Sequence, residues 1–546
     1  MTKETRGNMR RHTRALTLLA VSAVTLCGQH VQPSSPPVEK PVALLGRLGA
    51  HTHPIATSSP EAQKFFDQGL TLLYGFNRYE ALRSFRKAAE LDPGAIKPLW
   101  GISMALGPHI NMDMDGDVNL KEGCEALSKA KAVSPRSSAY EAAYLEAAAS
   151  RCPDYEPARY INAMRRLHLQ YPDDLDAATL YAESLMIPER WKWWNPDGSP
   201  AGGTAAAVEI LEQVMRRNPN HPGANHFYIH AVEMSPTPER AIPSAQRLMA
   251  IVPDAGHLVH MPGHIWLVLG DWETAASVNE RAAQVDREYF ARTGVQSGYL
   301  GYYLHNVHFV TYGRAMQGKT ADAIRAADRL AMDATQAAET MPEMADSFVP
   351  HTVFSRVRFG RWDEVLSLAR PHPKLVTSTA LWHWARSIAW AAKGDLTIAS
   401  REAGLFQTAR AKVPAAWPWL NNKAVDVLAL ANEVLQARLA SNEVAAVAHW
   451  RSAVEAQDKL NYDEPPAWYM PLRESLGASL LRGGDAPAAE VVFREGLRRS
   501  PRNGRILFGL LKSLEAQQKT EAAEFVRREY RREWKGSQAT LRLEDL

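Results

Sequence analysis

The chain has 546 residues, of which 46% are hydrophobic, enough to bury a large core and to build more than one conventional domain. Its formal charge is +3, and five basic residues against one acidic residue lie in the first 27 positions, so the remainder is close to neutral. A near-neutral chain lacks the basic surface that binds nucleic acid, which argues against that partner. No internal run reaches the roughly 18 to 20 apolar residues of a membrane-spanning helix, so no transmembrane segment is expected.

Residues 1–27 are predicted to be an export signal. Basic residues precede a short apolar stretch at 15–26 (ALTLLAVSAVTL), which is too short to span a membrane. Cys27 follows and raises the alternative of a lipoprotein anchor, but Leu26 stands where a lipobox has a small residue. We therefore expect a periplasmic or secreted protein. Residues 28–60 begin with a Pro/Ser-rich stretch and are expected to form a flexible tether.

Helical repeats follow the tether. In residues 63–93 (QKFFDQGLTLLYGFNRYEALRSFRKAAELDP) apolar residues recur at i, i+3, i+4 and i+7, and Pro93 ends the unit. The pattern returns with turns at Gly270-Asp271, Gly318, Gly360, Gly394-Asp395 and Gly484-Asp485. It resembles the tetratricopeptide repeat, a helix–turn–helix unit of about 34 residues, over roughly residues 60–535.

This resemblance implies an all-α, right-handed superhelical solenoid of about ten helix pairs, because a small helical unit buries its apolar face only by stacking on its neighbours. It also implies a concave groove lined by the first helix of each pair. We expect N-terminal repeats at 61–220, histidine-rich repeats at 221–330 and C-terminal repeats at 331–546, in an exported member of bacterial type.

Two further features concern the N-terminal repeats. A Trp-rich insertion at 189–203 (ERWKWWNPDGSPAGG) breaks their rhythm. Its indoles are expected to cover an exposed edge of the solenoid, the alternative being a lid over the groove. Cys124 and Cys152 are the cysteines besides Cys27, and the sequence leaves open whether they form a disulfide or two buried thiols.

Histidines are concentrated between residues 221 and 308, and seven of them follow one pattern. Within each segment they recur three or four residues apart, so they project from one face of a helix. When each segment is aligned on the small residue of its downstream helix, all seven fall at positions that line the groove in tetratricopeptide repeats, and Glu233 falls there too. They are His226, His230, His257, His260, His264, His305 and His308.

Crowded imidazoles predict a metal site. They repel one another when protonated and bury polar atoms when neutral, and a metal ion resolves both problems. Imidazoles with a carboxylate suit a transition metal, copper or iron more than zinc, whereas calcium and magnesium need oxygen ligands. Helices about 8 to 10 Å apart let facing imidazoles share an ion. Seven ligands suffice for one or two ions.

Glu233 and Tyr312 are the candidate catalytic residues, because both lie on the predicted histidine surface and can assist acid–base or redox chemistry. Phe227 stands where the zinc-protease motif H-E-x-x-H has its glutamate, so a protease is not predicted. Pro262 raises a separate question. A helix that begins there would leave His257 and His260 on the preceding turn.

Other polar residues give weaker signals. The stretch 107–117 (GPHINMDMDGD) contains His109, Asn111, Asp113 and Asp115, and is expected to be a polar loop with capping aspartates rather than a ligand loop. His351 and His383 belong to the next two repeats and fall off the groove-facing positions. They are expected to pack, or to support a ligand from behind.

Two functions from different classes fit these features. One is a metalloenzyme that acts on a small molecule or a peptide in the groove, by oxygen-dependent oxidation with copper or iron, or by hydrolysis with zinc. The other is a non-enzymatic scaffold that binds a peptide or protein partner, or carries metal in the periplasm. A simple carrier has no need of Glu233 and Tyr312 among the imidazoles, so we favour the metalloenzyme.

Overall fold

The computed structural model describes residues 39–111, 118–133, 138–296, 298–536 and 541–546. The predicted export signal and Cys27 lie outside these residues, as do Asp113 and Asp115. The described residues belong to one compact unit, Glu39–Leu546.

Helices account for almost all of the regular structure. The first group is α1 (Pro60–Tyr74), α2 (Arg78–Leu91), α3 (Lys97–Ala105), α4 (Leu120–Val133), α5 (Ala139–Ala149), α6 (Pro157–Gln170), α7 (Leu175–Met186) and α8 (Thr204–Arg217). The second is α9 (Pro222–Glu233), α10 (Ile242–Ile251), α11 (Gly256–His260), α12 (Pro262–Val268), α13 (Trp272–Thr293), α14 (Leu300–Met316) and α15 (Thr320–Thr335). The third is α16 (Pro342–Phe348), α17 (His351–Arg358), α18 (Trp362–Ser367), α19 (Val376–Ala392), α20 (Leu396–Arg410), α21 (Ala424–Leu439), α22 (Glu443–Asp458), α23 (Leu472–Arg482), α24 (Ala486–Arg499), α25 (Gly504–Ala516) and α26 (Thr520–Glu533). The described residues also contain three short 3₁₀ turns (Ile187–Glu189, Pro238–Ala241, Leu543–Asp545) and an antiparallel pair of two-residue strands, β1 (Pro418–Trp419) and β2 (Asn422–Lys423).

Small residues set the distance between successive helices. Phe85 on α2 lies between Gly69 of α1 and Gly101 of α3, and a Cβ at either glycine would fall 2.6 or 2.5 Å from its ring. The same arrangement recurs near the C-terminus with Phe493, Gly477 and Gly509. The glycines of the repeat pattern thus leave space for a phenyl ring that packs between two neighbouring helices.

The Gly-Asp turns predicted from the sequence behave alike in distant repeats. Gly270 and Gly484 adopt left-handed backbone conformations with φ of 74° and 88°, which only glycine tolerates without strain. The next residue then caps the following helix, because the Asp271 carboxylate accepts a hydrogen bond from the Thr274 N–H and Asp485 does the same for Ala488. The chain reverses and the next helix begins within two residues.

Most helices pack mainly on a helix adjacent in the chain, and around the short helices α11 and α16 the neighbour lies one element further on, as for α11 with α13 and α15 with α17. The predicted all-α solenoid of tetratricopeptide-like helix pairs is therefore confirmed. In the part of the chain that the structure describes, no helix combines the length and the apolar character needed to cross a bilayer.

The solenoid also folds back on itself, so that late repeats contact middle ones. The Trp272 indole donates to the Arg502 carbonyl at 3.4 Å, and the Lys535 amide donates to the Gln317 carbonyl at 2.8 Å. The loop between α22 and α23 also lies against the histidine-rich repeats, where the Tyr469 hydroxyl is 3.3 Å from the Thr311 carbonyl. The inner surface at that point is buried rather than open.

Residues 39–59 lie against the helices, which differs from the flexible tether expected for this stretch. The Lys40 amide donates to the Thr293 carbonyl at 2.8 Å, and the Arg47 amide donates to Asp254 at 3.0 Å. Polar side chains of this segment contact buried residues of the helices, and these contacts cannot be predicted from the composition of the segment alone.

Candidate metal centre

Helix α9 supplies the first part of the site. It begins at Pro222, where the missing N–H leaves no donor unsatisfied, and the His221 Nδ1 caps it by accepting from the Ala224 N–H at 3.1 Å. His226, His230 and Glu233 follow on this helix, and all three side chains are buried. The i, i+4, i+7 spacing thus places them along one stripe, as predicted.

Two short helices supply the next three histidines. Pro262 does interrupt the predicted helix, because α11 ends at His260 and α12 begins at Pro262 itself. The break does not displace His257 or His260 from the site. Their rings lie 5.3 Å apart, and the ring of His260 lies 4.6 Å from that of His264 on α12.

The histidines form two sets of three. In each set the potential ligand atoms all lie within 4.8 Å of one another. The His226 and His257 Nε2 atoms are 3.2 Å apart, and the His260 and His264 Nε2 atoms are 2.7 Å apart. Two nitrogens bound to one ion at about 2.0 to 2.1 Å lie roughly 3 Å from each other. The first set is His226, His230 and His257, and the second is His260, His264 and His305.

Hydrogen bonds on the outer ring nitrogens fix which nitrogen carries the proton. The His260 Nδ1–H donates to the Asn279 Oδ1 at 2.6 Å, and this amide is oriented because its Nδ2 donates to the Ala275 carbonyl. The His226 Nδ1–H donates to the Tyr74 carbonyl, and the His230 Nδ1–H donates to Glu233 at 2.9 Å. A neutral imidazole protonated on Nδ1 has its lone pair on Nε2. The lone pairs of these three rings therefore point inward.

Burial keeps the imidazoles neutral. Removal from water, together with the neighbouring imidazoles, holds the pKa values of His226, His257, His260 and His264 well below the usual range. The same effect lowers the pKa of His305 to about 4. Unprotonated rings are the form that binds metal. His305 differs from the other five in being partly exposed, and it marks the side of the site nearest to solvent.

Glu233 joins the two sets. One carboxylate oxygen accepts from the His230 Nδ1–H of the first set, and the other accepts from the His264 Nδ1–H of the second. Burial raises the pKa of Glu233, and the adjacent imidazoles oppose that rise. A carboxylate that accepts a hydrogen bond from a histidine ligand fixes the orientation of the ring and raises its basicity. Glu233 is placed to do this for one histidine of each set.

Glu464 is a site residue that sequence reasoning missed. Its Oε1 lies 3.3 Å from the His264 Nδ1, and the Tyr462 hydroxyl also interacts with this carboxylate. Burial and the nearby Glu233 hold the pKa of Glu464 well above the usual range. It comes from the loop between α22 and α23, far along the chain, and nothing in its local sequence marks it as a neighbour of the histidines.

Aromatic rings cover the first set. Phe76, in the turn between α1 and α2, adopts a left-handed φ of 53°, which is uncommon for a bulky residue. Its ring lies 4.5 Å from that of His226 and 5.2 Å from that of His257. From the other side Trp191 packs edge-on against His230 at 5.7 Å. The Trp-rich insertion thus lies over the histidines, closer to the covering lid than to the exposed edge expected for it.

Two predicted site residues lie apart from both sets. The ring of His308 packs against that of His351. Tyr312 lies between Trp272 and Tyr469, with ring centroids 6.0 and 5.8 Å away. Both residues follow His305 along α14. Only the first turns of that helix reach the histidine sets, and its later turns face the C-terminal repeats.

His109 lies close to the first set, although the sequence favoured a loop role. Its ring packs on Phe76 at 4.9 Å, and its buried Nε2 has no hydrogen-bond partner among the described residues. Burial, followed by nearby cations including Arg78, holds its pKa well below the usual range. His383 lies elsewhere, with its Nδ1 2.7 Å from Glu402.

A second histidine cluster surrounds Asp176 on α7. His51, His53 and Tyr74 contact its carboxylate at 3.0, 2.8 and 2.6 Å. The His221 Nε2 lies 3.2 Å away, and it must carry a proton because the Nδ1 of that ring accepts from a backbone N–H. Burial alone would raise the pKa of Asp176, but the histidine hydrogen bonds hold it well below its usual range. These groups satisfy one another, and they fasten residues 39–59 to the solenoid.

Comparison with known proteins adds no family. No protein-family model matches the chain, and no curated protein matches it. Among solved structures, the human IFIT1 dimer with m7Gppp-AAAA is similar at 12% identity and a TM-score of 0.32, covering 88% of this chain and 91% of that one. Yeast Tom70 is similar at 12% identity and a TM-score of 0.27, covering 86% and 90%.

Proposed function

We propose that this protein is a metalloprotein that holds one or two transition-metal ions in the two histidine sets. The observation that carries the proposal is the direction of the lone pairs. The outer nitrogens of His226, His230, His260 and His264 donate to fixed acceptors, so the inner nitrogens face one another without a proton. The Nε2 atoms of His260 and His264 are 2.7 Å apart, and two lone pairs at that distance repel unless a cation lies between them.

Copper or iron fits the donor set better than zinc. Each set offers three neutral imidazoles, and the carboxylates of Glu233 and Glu464 lie behind or beside them. Imidazole donors suit copper, iron and zinc, whereas calcium and magnesium need a shell of oxygens. Three imidazoles per ion match the ligand count of dinuclear copper proteins. Two such sets side by side therefore favour a pair of redox-active ions.

The favoured activity is oxygen-dependent oxidation of a small molecule or peptide. Bound copper or iron would supply the electron-transfer chemistry. Glu233 would orient two of the ligands, because it accepts hydrogen bonds from the Nδ1–H groups of His230 and His264. The rings of Phe76 and Trp191 would exclude water from the first set. Partly exposed His305 is the point at which a substrate would approach. Zinc in the same sets would instead favour hydrolysis through an activated water.

Metal carriage is the second candidate function, favoured by burial. Five of the six histidines in the two sets are at most 2% exposed. Such burial suits retention of an ion better than access by a large substrate. A peptide or protein partner of a non-enzymatic scaffold would have to bind elsewhere on the solenoid.

We further propose that the protein is exported, to the periplasm or beyond, with a lipid anchor at Cys27 as the less favoured form. The N-terminal signal pattern supports this. So does the Cys124–Cys152 disulfide, since disulfides persist mainly in oxidising compartments.

The test is elemental analysis of the purified protein, made without a histidine tag, beside a His230→Ala/His264→Ala variant. We expect one or two equivalents of copper or iron in the wild type and a loss of metal in the variant. The matched control is His383→Ala/His449→Ala, which removes two histidines that also pair with glutamates, at 2.7 and 2.9 Å, far from the sets. It should keep the full metal content.

Three results would redirect or reject the proposal. Zinc alone would move the activity to hydrolysis. Metal without oxygen consumption across a panel of phenols, amines and peptides would favour carriage. No metal after reconstitution with copper, iron and zinc in turn would reject the site.

A further inference from the structure

A cavity of about 320 Å³ lies between the middle repeats and the late repeats. Leu267 and Val268 of α12 line it, one helical turn beyond His264, and Arg473 of α23 and Arg499 of α24 line it from the late repeats. Small-molecule sites in proteins have volumes of roughly 300 to 1,000 Å³. The cavity is at the lower end of that range, so it suits a ligand with about one substituted ring.

Three buried aromatic side chains line the cavity, and each is at most 4% exposed: Trp272, Tyr312 and Trp468. The rings of Trp272 and Tyr312 lie 6.0 Å apart. The indole of Trp468 packs edge-on against Phe354 and Trp384, at 5.2 and 5.7 Å. Rings that their neighbours hold in place form a pre-organised apolar wall, which is the usual lining of a small-molecule site. Tyr312 is predicted from the sequence to lie among the histidines, and it lines this cavity instead.

Guanidinium groups give the cavity an excess of positive charge. Arg473 donates two hydrogen bonds to the Asp458 carboxylate, at 2.8 and 2.7 Å, and Arg499 lies 3.4 Å from the same carboxylate. Arg499 also donates to Glu495 at 2.9 Å, and Glu495 pairs with Arg498 as well. This network holds three guanidiniums and two carboxylates, so one positive charge lacks a partner within it. A ligand with a single carboxylate would balance the network, and arginine suits that group because its planar fork matches the carboxylate geometry.

The other acidic residue of the lining, Asp463, is held toward its neutral form. Burial raises its pKa well above the usual range, although Asn421 and Asn422 donate hydrogen bonds to its carboxyl group at 3.1 and 2.6 Å. The lining residue before it, Tyr462, contacts the Glu464 carboxylate through its hydroxyl. The cavity therefore adjoins the second histidine set and includes none of its ligands.

We propose that the cavity binds a small aromatic carboxylate. Its ring packs among Trp272, Tyr312 and Trp468, and its carboxylate pairs with the guanidiniums of the late repeats. An acid without a ring forgoes the apolar contacts, and a ring without a charge leaves the excess guanidinium charge unbalanced, so both parts are needed. The site is separate from the two histidine sets, and its ligand does not depend on a bound metal.

The test is isothermal titration calorimetry of the purified protein with phenylacetate, phenylacetamide and acetate. Phenylacetate has both the ring and the charge, whereas each of the other two lacks one of them. We expect phenylacetate to bind at least about 10-fold more tightly than either, because a hydrogen-bonded charge pair adds to the burial of the ring. The affinity should be the same before and after treatment with a metal chelator.

Arg499→Gln should weaken the binding of phenylacetate by about 10-fold and leave that of phenylacetamide unchanged. The side chain of Arg499 is 54% exposed, so the substitution is compatible with folding, which thermal unfolding checks. Arg498→Gln is the matched control, because Arg498 lies on the same helix and pairs with the same Glu495 but does not line the cavity. This control should keep the wild-type affinity.

Any of four results would overturn the proposal. They are no binding of phenylacetate, equal affinities for phenylacetate and phenylacetamide, equal losses in Arg499→Gln and Arg498→Gln, and loss of binding after chelation, which would place the carboxylate on a metal ion. The proposal for the two histidine sets is judged separately, from the metal content of the wild type and of His230→Ala/His264→Ala.

Discussion

The Nε2 atoms of His260 and His264 face each other at 2.7 Å, and the outer nitrogen of each ring is a hydrogen-bond donor. The rings lie one helical turn apart across the break at Pro262, so backbone geometry alone would let them rotate away. What holds them face to face is the pair of acceptors behind them, Asn279 and Glu233. The acceptors are therefore as much a part of the candidate centre as the ligands.

Asn279→Leu should weaken metal binding without touching a ligand. The Nδ1 proton of His260 loses its acceptor, so the ring is free to rotate or to move its proton to Nε2. Loss of such a supporting group lowers metal affinity by about 10- to 100-fold. Competition titration against a chelator measures the change. Asn279→Asp keeps the acceptor but loses the donor to the Ala275 carbonyl, so it should lose much less affinity than Asn279→Leu. Equal losses in both variants would contradict this role.

Glu233→Gln should affect the two histidine sets unequally. A carboxylate accepts from both His230 and His264, but an amide offers one oxygen and turns its NH₂ group toward the other ring. One of the two rings must then rotate or change tautomer. We expect about half of the bound metal to be lost, measured by elemental analysis after dialysis. The control is Glu402→Gln, which alters the analogous contact with His383. Full metal retention in Glu233→Gln would show that the carboxylate does not link the sets.

Glu464→Gln should raise the reduction potential of the copper- or iron-loaded protein. Burial raises the pKa of Glu464 in the metal-free protein, and a bound cation would favour its charged form. Removing that negative charge destabilises the more highly charged oxidation state of the ion. The side chain lies 3.3 Å from His264, near enough for the effect to be felt at the second set. A potentiometric titration provides the measurement, with Glu402→Gln again unchanged. An unaltered potential would remove Glu464 from the site.

Lys97 gives a pH-dependent prediction away from the site. Its ammonium lies 3.1 Å from the centre of the Tyr144 ring, and burial lowers its pKa from the ordinary 10.5 to about 7, against the pull of Asp174, Asp176 and Glu141. Between pH 7 and 10.5 the amine is therefore neutral in the folded protein but protonated in the unfolded chain. The free energy of unfolding decreases as the pH falls from 10.5 to about 7 and does not change further at lower pH.

Lys97→Met removes this difference in protonation. The advantage of the variant over the wild type in free energy of unfolding should therefore grow as the pH falls from about 10 to 7 and stay constant at lower pH. Urea unfolding at several pH values measures it, with the exposed Lys129→Met as control. A difference that does not vary with pH would mean that Lys97 is not buried as an amine.

Removing the Cys124–Cys152 disulfide should destabilise the N-terminal repeats. The two residues are 28 positions apart, and a crosslink of that span restricts the unfolded chain by about 3 to 4 kcal/mol. The Cys124→Ser/Cys152→Ser variant should unfold at lower urea concentration, and a reductant should shift the wild type in the same direction. Free thiols at both positions in protein purified from the periplasm would contradict the bond.

The sequence predicts the part of the site that depends on local periodicity. His226, His230 and Glu233 share a stripe because their spacing matches the helical repeat. Aligning His257, His260 and His264 on Ala275, the small residue of the downstream helix, places them on the same groove-facing surface, because equivalent positions of successive repeats face the same way. Neither step needs any long-range information.

The remainder depends on how the repeats curve, which local sequence does not encode. Glu464 reaches His264 only because the late repeats fold back onto the middle ones. His308 shares the predicted register of His226, yet it faces His351 because α14 lies further along the stack and turns its later residues to α17. His51 and His53 lie in a stretch expected to be a tether, and Asp176, their partner, is distant in sequence.

Glu464 lies far along the chain from the histidines, and this separation affects the kinetics of metal exchange. The candidate centre is complete only when the chain beyond residue 460 has folded back over α12, and the rings of Phe76 and Trp191 then block the opposite side. An ion in the first set would leave only when the repeats part, whereas the second set keeps a partly exposed ligand in His305. Release from the first set would be governed by the rate of a protein opening rather than by the strength of any single bond between ion and imidazole.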